Sequence, residues 1–410
     1  MSKKNTNIIN HDPFRTGAVA GKYFVGREKE IESVLTHLDG LKASSPNHFY
    51  ITGLHGSGKS SFLEKIAAAA RGRNIVASYL VLMDTPTTDL IQWKSIMGEM
   101  IKSLAERIHK VKVTNSNLID DWESGTGSIF RLPKATEVSN AILFDDFTTI
   151  SDLMKDNGLE GLVICFDEGQ WINPSVLSAL KNVLQRLDCF LVVLSLRLVS
   201  DSGGIVAAGR AALDKIAQSA GGDSGASRFF ADGVAIGPFS SNQEAVACIE
   251  KRLENNEIQF EQGVIERICH ITGGVPREMI SLASKTWNLA KSEKITLANP
   301  GLLQRAFCEH PDYSSYVIES RSLFEGISID ARKHLGGLLK RRGTATAEEI
   351  AEQIYPILDS DIKKTLSIAI EANLSRLCIQ APILLTQNQT HFIVLSPACS
   401  FALLIAMGEF

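Results

Sequence analysis

The N-terminal half of the chain alternates short, almost continuously apolar runs with longer stretches of helical periodicity. The apolar runs occupy residues 48–53, 75–83, 159–167, 189–196 and 233–239. Runs of this kind are typical of strands that are buried on both faces, and the helices between them supply the connections that parallel strands need. We therefore predict an α/β fold, in which helices cover both faces of a parallel sheet.

Two polar stretches interrupt this pattern. Residues 112–136 are rich in Asn, Ser, Asp and Gly, which predicts a surface loop or insertion. Residues 200–227 predict a helix bracketed by flexible glycine-serine segments.

From Ser240 onward the pattern is helical, and Ser241 and Glu244 have the spacing of a capping box. Beyond about residue 326, three helical stretches precede two short strands, an order typical of a winged helix-turn-helix. The apolar stretch 401–407 predicts a core or docking segment. The predicted domains are an N-terminal tail (1–20), an α/β domain (21–239), a small helical domain (240–325) and a winged-helix domain (326–410).

Composition narrows the class of protein. The chain has 410 residues, of which 44% are apolar and 21% charged, and these values indicate a folded protein of several domains. No apolar run approaches the roughly 20 residues that span a bilayer, and the N-terminal residues lack the apolar core of a secretory signal, so we expect a cytoplasmic protein without a membrane partner. The seven scattered cysteines predict buried thiols, and a net charge of −4 argues against a surface that is basic throughout.

The first candidate binding motif lies at the end of the first apolar run, where the sequence reads Gly53-x-x-x-x-Gly58-Lys59-Ser60. In this pattern, glycines let consecutive N–H groups surround a phosphate, the lysine reaches the β and γ phosphates, and the serine hydroxyl binds Mg²⁺. A glycine-rich turn without a ligand would leave the Lys-Ser pair unexplained. We predict ATP and Mg²⁺ as cofactors, and a phosphate cradle formed by Gly53, Leu54, His55, Gly56, Ser57, Gly58, Lys59, Ser60 and Ser61.

A pair of carboxylates follows the third apolar run. Asp167 is suited to the Mg²⁺ shell, and Glu168 is suited to activate the attacking water. An Asp-Glu pair alone is often a solvated turn, but the carboxyl ends of parallel strands are where such sheets bind ligands.

Three further side chains are candidates for sensing or stabilising the γ-phosphate. Ser195 ends the fourth run, near Arg197, and it is either a sensor or a plain strand-end hydroxyl. Arg228 is either an arginine finger that acts on a neighbouring subunit or a surface salt bridge. Arg277 follows Gly-Gly-Val-Pro at a helix start, where it could close over the γ-phosphate.

These motifs, together with "FVGREKEI" near the N terminus, resemble an AAA+ ATPase of the origin-recognition and archaeal-ATPase type, bordering on the STAND signalling ATPases. The similarity covers roughly residues 13–295. It implies that Val25 and Gly26 lie against the adenine, that the helical domain is a lid, and that subunits share nucleotide sites in a homo-oligomer formed with ATP.

Two functions remain open at this point. The first is an ATP-hydrolysing switch that assembles on double-stranded DNA or with a partner protein through the winged helix. The second is a STAND-like signalling module with slow hydrolysis and a protein-binding C-terminal domain. The first function is slightly favoured, because basic residues that could bind DNA occur at Lys363, Lys364, Arg376 and 340–342. Acidic residues surround them, however. A small-molecule kinase is disfavoured, because the Asp-Glu pair and the lid suit hydrolysis.

Overall fold

The structure is a computed structural model that describes residues 11–14, 21–85, 87–111, 118–124, 129–198, 205–218, 229–230, 232–341, 343–388 and 390–407. The chain divides into two compact units. One unit is Gly17–Gly237, and the other combines Met1–Thr16 with Pro238–Phe410.

The first unit is built on a parallel sheet of five strands, which lie in the order β2-β3-β4-β1-β5. The strands are β1 (Phe49–Gly53), β2 (Ile75–Val81), β3 (Gly161–Asp167), β4 (Phe190–Arg197) and β5 (Asp232–Ala235). Each strand coincides closely with an apolar run of the sequence, and the predicted α/β fold with a parallel sheet is confirmed.

Seven helices of the described residues accompany this sheet. They are α1 (Glu28–Lys42), α2 (Lys59–Arg71), α3 (Asp89–Val111), α4 (Leu118–Ser124), α5 (Asn140–Asp156), α6 (Pro174–Leu184) and α7 (Ile205–Gln218). Side chains of β4 alternate between two cores, as the period of a strand requires. Val192 and Leu194 pack in the core that contains α3, α5 and α6, whereas Leu191 and Val193 pack in the core that contains α1 and α2.

The loop predicted over residues 112–136 is wrong in part. Helix α4 lies within it, and Leu118, Phe130 and Leu132 are buried in the same core as α3. Trp122 packs against Gly98, where an added Cβ would lie 3.1 Å from the indole Nε1. A few widely spaced apolar residues therefore fix this segment, although its average composition is polar. Residues 112–117 and 125–128 lie outside the described part.

The predicted helix between residues 200 and 227 is confirmed as α7, and its glycine-serine flanks lie outside the described residues. The cysteines are free thiols; Cys165, Cys248, Cys269 and Cys399 are buried, and the other three are half-buried. Within the described residues, no helix combines the length and hydropathy needed to cross a membrane.

The second unit is mainly helical over its first part. Its elements there are α8 (Asn242–Leu253), α9 (Gln262–Ile271), α10 (Pro276–Ser292), α11 (Pro300–Cys308) and α12 (Ser314–Gly326), with the short parallel pair β6 (Gln259–Phe260) and β7 (Leu297–Ala298). The capping box of Ser241 and Glu244 is present at the start of α8. Gly273 and Gly274 both have positive φ, which lets the chain turn tightly between α9 and α10.

The last part of this unit combines helices with a three-stranded antiparallel sheet, in the order β8-β10-β9. The elements are α13 (Ile329–Lys340), β8 (Thr344–Thr346), α14 (Ala347–Ile354), α15 (Ser360–Gln380), β9 (Leu385–Asn388), β10 (His391–Val394) and α16 (Pro397–Met407). The sequence predicted only two of these strands, because β8 is three residues long and carries no apolar run. Phe401 and Leu403 of α16 are buried. The domain boundary at residue 326 stays a prediction.

Candidate nucleotide site

The turn between β1 and α2 depends on its glycines. A Cβ on Gly53 would lie 2.1 Å from the carbonyl oxygen of Ile236, so a larger residue cannot stand there without moving the backbone. Gly56 and Gly58 have φ of 80° and 96°, a conformation that strongly favours glycine. Each of the three glycines therefore has a steric or a conformational reason to occupy its position in this turn, which we call the cradle.

The N terminus of α2 faces this cradle without a cap. Gly58 is the N-cap residue, and as a glycine it provides no side-chain cap for the N–H groups of the first turn. Such groups have no partner within the helix and carry a positive partial charge, which makes the position favourable for a phosphate. The nearby Ser57 hydroxyl is buried and has no hydrogen-bond partner among the described residues.

Lys59 lies across the cradle. Its ammonium donates hydrogen bonds to the carbonyl oxygens of Gly53 and Leu54, both at 3.0 Å, and the residue is only 8% exposed. Burial lowers the pKa of Lys59, while the nearby carboxylates of Glu168 and Asp167 act in the opposite direction. A cation held in this way is placed to exchange the two carbonyls for phosphate oxygens, which interact with it more strongly.

Strand alternation brings Asp167 and Ser195 to the same face of the sheet as α2. Asp167 is two residues beyond Cys165, and Ser195 is two residues beyond Val193; Cys165 and Val193 both pack in the core that contains α2. Asp167 is 4% exposed and Ser195 is fully buried. The Ser195 hydroxyl has no hydrogen-bond partner among the described residues.

The Asp167 carboxylate is fixed by two donors. The Tyr79 hydroxyl donates to Oδ2 at 2.8 Å, and the backbone N–H of Glu168 donates to Oδ1 at 3.0 Å. Burial, together with the Asp167 charge, raises the pKa of Tyr79, so that its hydroxyl stays protonated. Each carboxylate oxygen keeps one lone pair that these hydrogen bonds do not use.

Glu168 has a left-handed backbone conformation, with φ of 55° and ψ of 44°. Such a conformation costs a non-glycine residue about 1–3 kcal/mol, and it is found most often at functional sites. The side-chain amide of Gln170 donates to Oε2 of Glu168, and the amide oxygen of Gln170 accepts from the backbone N–H of Arg197 at 3.2 Å. Gln170 thus joins Glu168 to the end of β4.

The remaining predicted site residues differ in their exposure and in their place in the structure. Val25, Leu54, Ser60 and Ser61 are half-buried, Gly26 is buried, and His55 is exposed. Arg277 is in the first turn of α10, in the second compact unit. Arg228 lies outside the described residues, so its role as an arginine finger stays a prediction.

Sequence reasoning missed Tyr79, Gln170 and Arg27. Arg27 has a left-handed backbone, is 7% exposed, and donates to the carbonyl oxygen of Gly237. A tyrosine inside an apolar strand was the one available signal for Tyr79. Gln170 follows the Asp-Glu pair closely, but its contact with Glu168 depends on the turn that begins at Gly169.

Comparison with known proteins agrees with this geometry. Residues 23–194 match the family model described as the AAA ATPase domain. The search of curated proteins found no match.

Solved structures cover almost the whole chain at low identity. The ORC2 protein of Aeropyrum pernix, solved as ADPNP–ADP complexes, is 13% identical, with 97% of this chain and 96% of that chain covered and a TM-score of 0.54. A Walker-type ATPase of Pyrococcus abyssi is 14% identical, with 95% and 99% covered and a TM-score of 0.48. The first similarity shows a shared fold. Residues 23–194 thus match the AAA ATPase domain model, and the Aeropyrum pernix structure shares the fold of this chain.

Proposed function

We propose that the AAA ATPase domain binds ATP with Mg²⁺ and hydrolyses it. The observation that carries this proposal is the meeting of three groups beside one face of the sheet: the uncapped N terminus of α2, the buried Lys59 ammonium and the Asp167 carboxylate. Each of these groups has a partner in a magnesium-bound triphosphate, and none of them is needed to pack the core.

The binding step uses the cradle from Gly53 to Ser61. Its N–H groups surround the phosphates, and Lys59 exchanges two carbonyl acceptors for β- and γ-phosphate oxygens. Val25 and Gly26 contact the adenine in this proposal. The Ser60 hydroxyl and the Asp167 carboxylate supply hard oxygen ligands of the kind that Mg²⁺ prefers, and the bound ion would neutralise charge on the phosphates.

Glu168 is the proposed general base. Gln170 occupies Oε2, which leaves Oε1 to accept a proton from the attacking water. Ser195, whose hydroxyl is buried and unpaired among the described residues, is proposed to sense the γ-phosphate or to position the water. Arg277 is proposed to stabilise the γ-phosphate from the helical domain, and Arg228 from a neighbouring subunit.

Replacing the base by its amide tests hydrolysis directly. We expect Glu168→Gln to retain ATP and Mg²⁺ binding but to lower turnover by about 10²–10⁴-fold, because an amide cannot accept the proton. Release of phosphate and binding of a fluorescent ATP analogue are the two measurements. Glu160→Gln is the matched control, because Glu160 is exposed just before the opposite end of β3. Wild-type turnover in Glu168→Gln would place the base elsewhere.

We further propose that ATP binding controls assembly on double-stranded DNA through a winged helix over residues 329–394. The order of its elements, with three helices and a three-stranded antiparallel sheet, supports this interpretation. Helix α15 is the proposed reading helix, and its exposed residues Lys364 and Arg376 suit contacts with phosphates.

One observation favours a second candidate, a signalling module that binds a protein partner. Ile368 and Ile379 of α15 are 68% and 81% exposed. Among the basic residues, Lys363 pairs with Glu352 at 3.5 Å, and the Arg341 guanidinium bonds to Gln353 at 3.0 Å. Binding of duplex DNA with and without ATP, at several salt concentrations, separates the candidates, since phosphate contacts weaken with salt.

A further inference from the structure

The contact between Tyr79 and Asp167 comes from the edge strand of the sheet. Strand β2 pairs with β3 in parallel, with Tyr79 opposite Cys165 and Val81 opposite Asp167. Tyr79 is therefore level with the residue two positions before Asp167, on the same face of the sheet. Its side chain is long enough to bring the hydroxyl within 2.8 Å of Oδ2. A shorter polar side chain at this position could not make the same contact.

The hydrogen bond restricts how the carboxylate can turn. With Oδ1 held by the N–H of Glu168 and Oδ2 held by Tyr79, the plane of the Asp167 carboxylate is set by donors on both sides. Partners that orient a ligand in this way strongly influence metal affinity, because a free carboxylate must first lose rotational freedom. The backbone donor belongs to the motif itself, whereas the tyrosine is a separate contribution of β2.

Tyr79 lies beside a cavity. The residue is half-buried and lines a cavity of about 120 Å³, with Arg71, Glu99, Ser103 and Arg107 among the other lining residues. Replacement by phenylalanine keeps the ring and deletes only the donor.

We propose that Tyr79 is a positioning residue, whose hydroxyl holds Asp167 in the orientation that binds the magnesium of a nucleotide complex. This inference rests on the proposed function of the site. It assigns to β2 a role in metal affinity that the motifs of the sequence do not contain.

The test is the Mg²⁺ dependence of nucleotide binding rather than hydrolysis alone. A fluorescent ATP analogue is titrated with wild type and with Tyr79→Phe, first without Mg²⁺ and then at increasing Mg²⁺. We expect affinity without Mg²⁺ to be unchanged, and the Mg²⁺ concentration for half-maximal effect to rise by about tenfold. In an Asp167→Asn background, Tyr79→Phe should have no further effect, because the hydroxyl acts through that carboxylate.

Tyr313→Phe is the matched control. Tyr313 is buried, and its hydroxyl also donates to a carboxylate, Oε2 of Glu278 at 3.5 Å, in the other compact unit. The control should leave the Mg²⁺ dependence unchanged. Thermal unfolding identifies a variant that does not fold; in that event Tyr79→Leu, which also lacks the donor, replaces Tyr79→Phe.

The outcomes separate this inference from the proposed function. If wild type binds the analogue with Mg²⁺, and Tyr79→Phe shows the same Mg²⁺ dependence, then the role of Tyr79 is wrong and the function stands. If wild type binds no nucleotide at all, the proposed function fails and the inference fails with it. An equal loss of affinity with and without Mg²⁺ would also overturn the inference, since it would indicate general damage to the site.

Discussion

The nucleotide site and helix α15 differ in how their polar and apolar side chains meet solvent. At the site, Lys59, Asp167 and Ser195 are almost fully buried, and Lys59 and Asp167 each have two hydrogen bonds at defined distances. On α15, large apolar side chains such as Ile368 and Ile379 are exposed instead. A buried polar group has to be satisfied by a partner, whereas an exposed apolar group gains little until a partner arrives.

Because of this difference, the ligand of the nucleotide site can be identified more narrowly than the ligand of α15. A buried cation beside uncapped N–H groups and a carboxylate is compatible with few ligands. The proposed magnesium triphosphate would give each of these three protein groups a partner. An exposed helix with isoleucines and a few basic residues is compatible with nucleic acid or with protein. Substitutions at Lys59 test whether a buried polar group is required for nucleotide binding. Substitutions on α15 test whether its basic or its apolar side chains bind the partner.

Among the effects on binding and stability, the largest is expected at Lys59. Lys59→Ala should weaken ATP binding by at least about 100-fold, because the change removes charge-assisted hydrogen bonds to phosphate worth about 1.5–3 kcal/mol each. The fold should persist, since the buried ammonium pays a desolvation cost in the protein without nucleotide, as its lowered pKa indicates. Isothermal titration calorimetry measures the affinity, and circular dichroism checks the fold.

Lys65→Ala is the control for that experiment. Lys65 is on the same helix, where its ammonium lies 5.7 Å from the centre of the Phe24 ring. It should bind ATP as wild type does. An unchanged affinity in Lys59→Ala would reject the phosphate cradle.

His48, which is away from the nucleotide site, tests how burial of a titratable group affects the stability of the protein. The residue is 8% exposed, its Nδ1 accepts from the backbone N–H of Val192 at 3.0 Å, and burial lowers its pKa to about 4. The unfolded chain therefore binds a proton near pH 6.5, whereas the folded protein binds it only near pH 4. Stability is full above pH 6.5 and falls as the pH drops towards 4, by about 3 kcal/mol for this group.

His48→Asn should reduce that pH dependence, because asparagine can still accept from Val192 but does not titrate in this range. Urea unfolding of the two proteins between about pH 4 and pH 7 gives the comparison. Equal slopes would show that His48 is accessible to protons in the folded protein.

The sequence predicted the fold better than it predicted the contacts within the site. Apolar runs located the five strands, since strands buried on both faces leave a continuous hydrophobic signal. The pattern Gly53-x-x-x-x-Gly58-Lys59-Ser60 located the cradle, because its glycines and lysine are close together in the chain. Tyr79 and Gln170 were missed because their roles depend on strand register and on a turn, which spacing along the sequence does not encode. Strand β8 was missed because three residues are too short for a pattern.

The smallest effects are expected on α15, where single contacts are exposed. We compare Lys364→Ala/Arg376→Ala, the charge variant, with Ile368→Ser/Ile379→Ser, the apolar variant. If the helix reads DNA, the charge variant should bind duplex DNA several-fold more weakly. The slope of log affinity against log salt should fall by about 2 in magnitude, since each lost phosphate contact contributes about 0.9.

The apolar variant completes the comparison, because it changes hydrophobicity without changing charge. Under the DNA hypothesis it should bind DNA with the affinity and salt slope of wild type, since phosphates gain nothing from an exposed isoleucine. Both measurements are made with ATP and the Glu168→Gln variant, so that turnover does not empty the nucleotide site during the titration. A charge variant that binds DNA as wild type does would contradict DNA reading by α15. The exposed isoleucines would then define the functional surface, and a partner with a complementary apolar face would be the ligand that stabilises them.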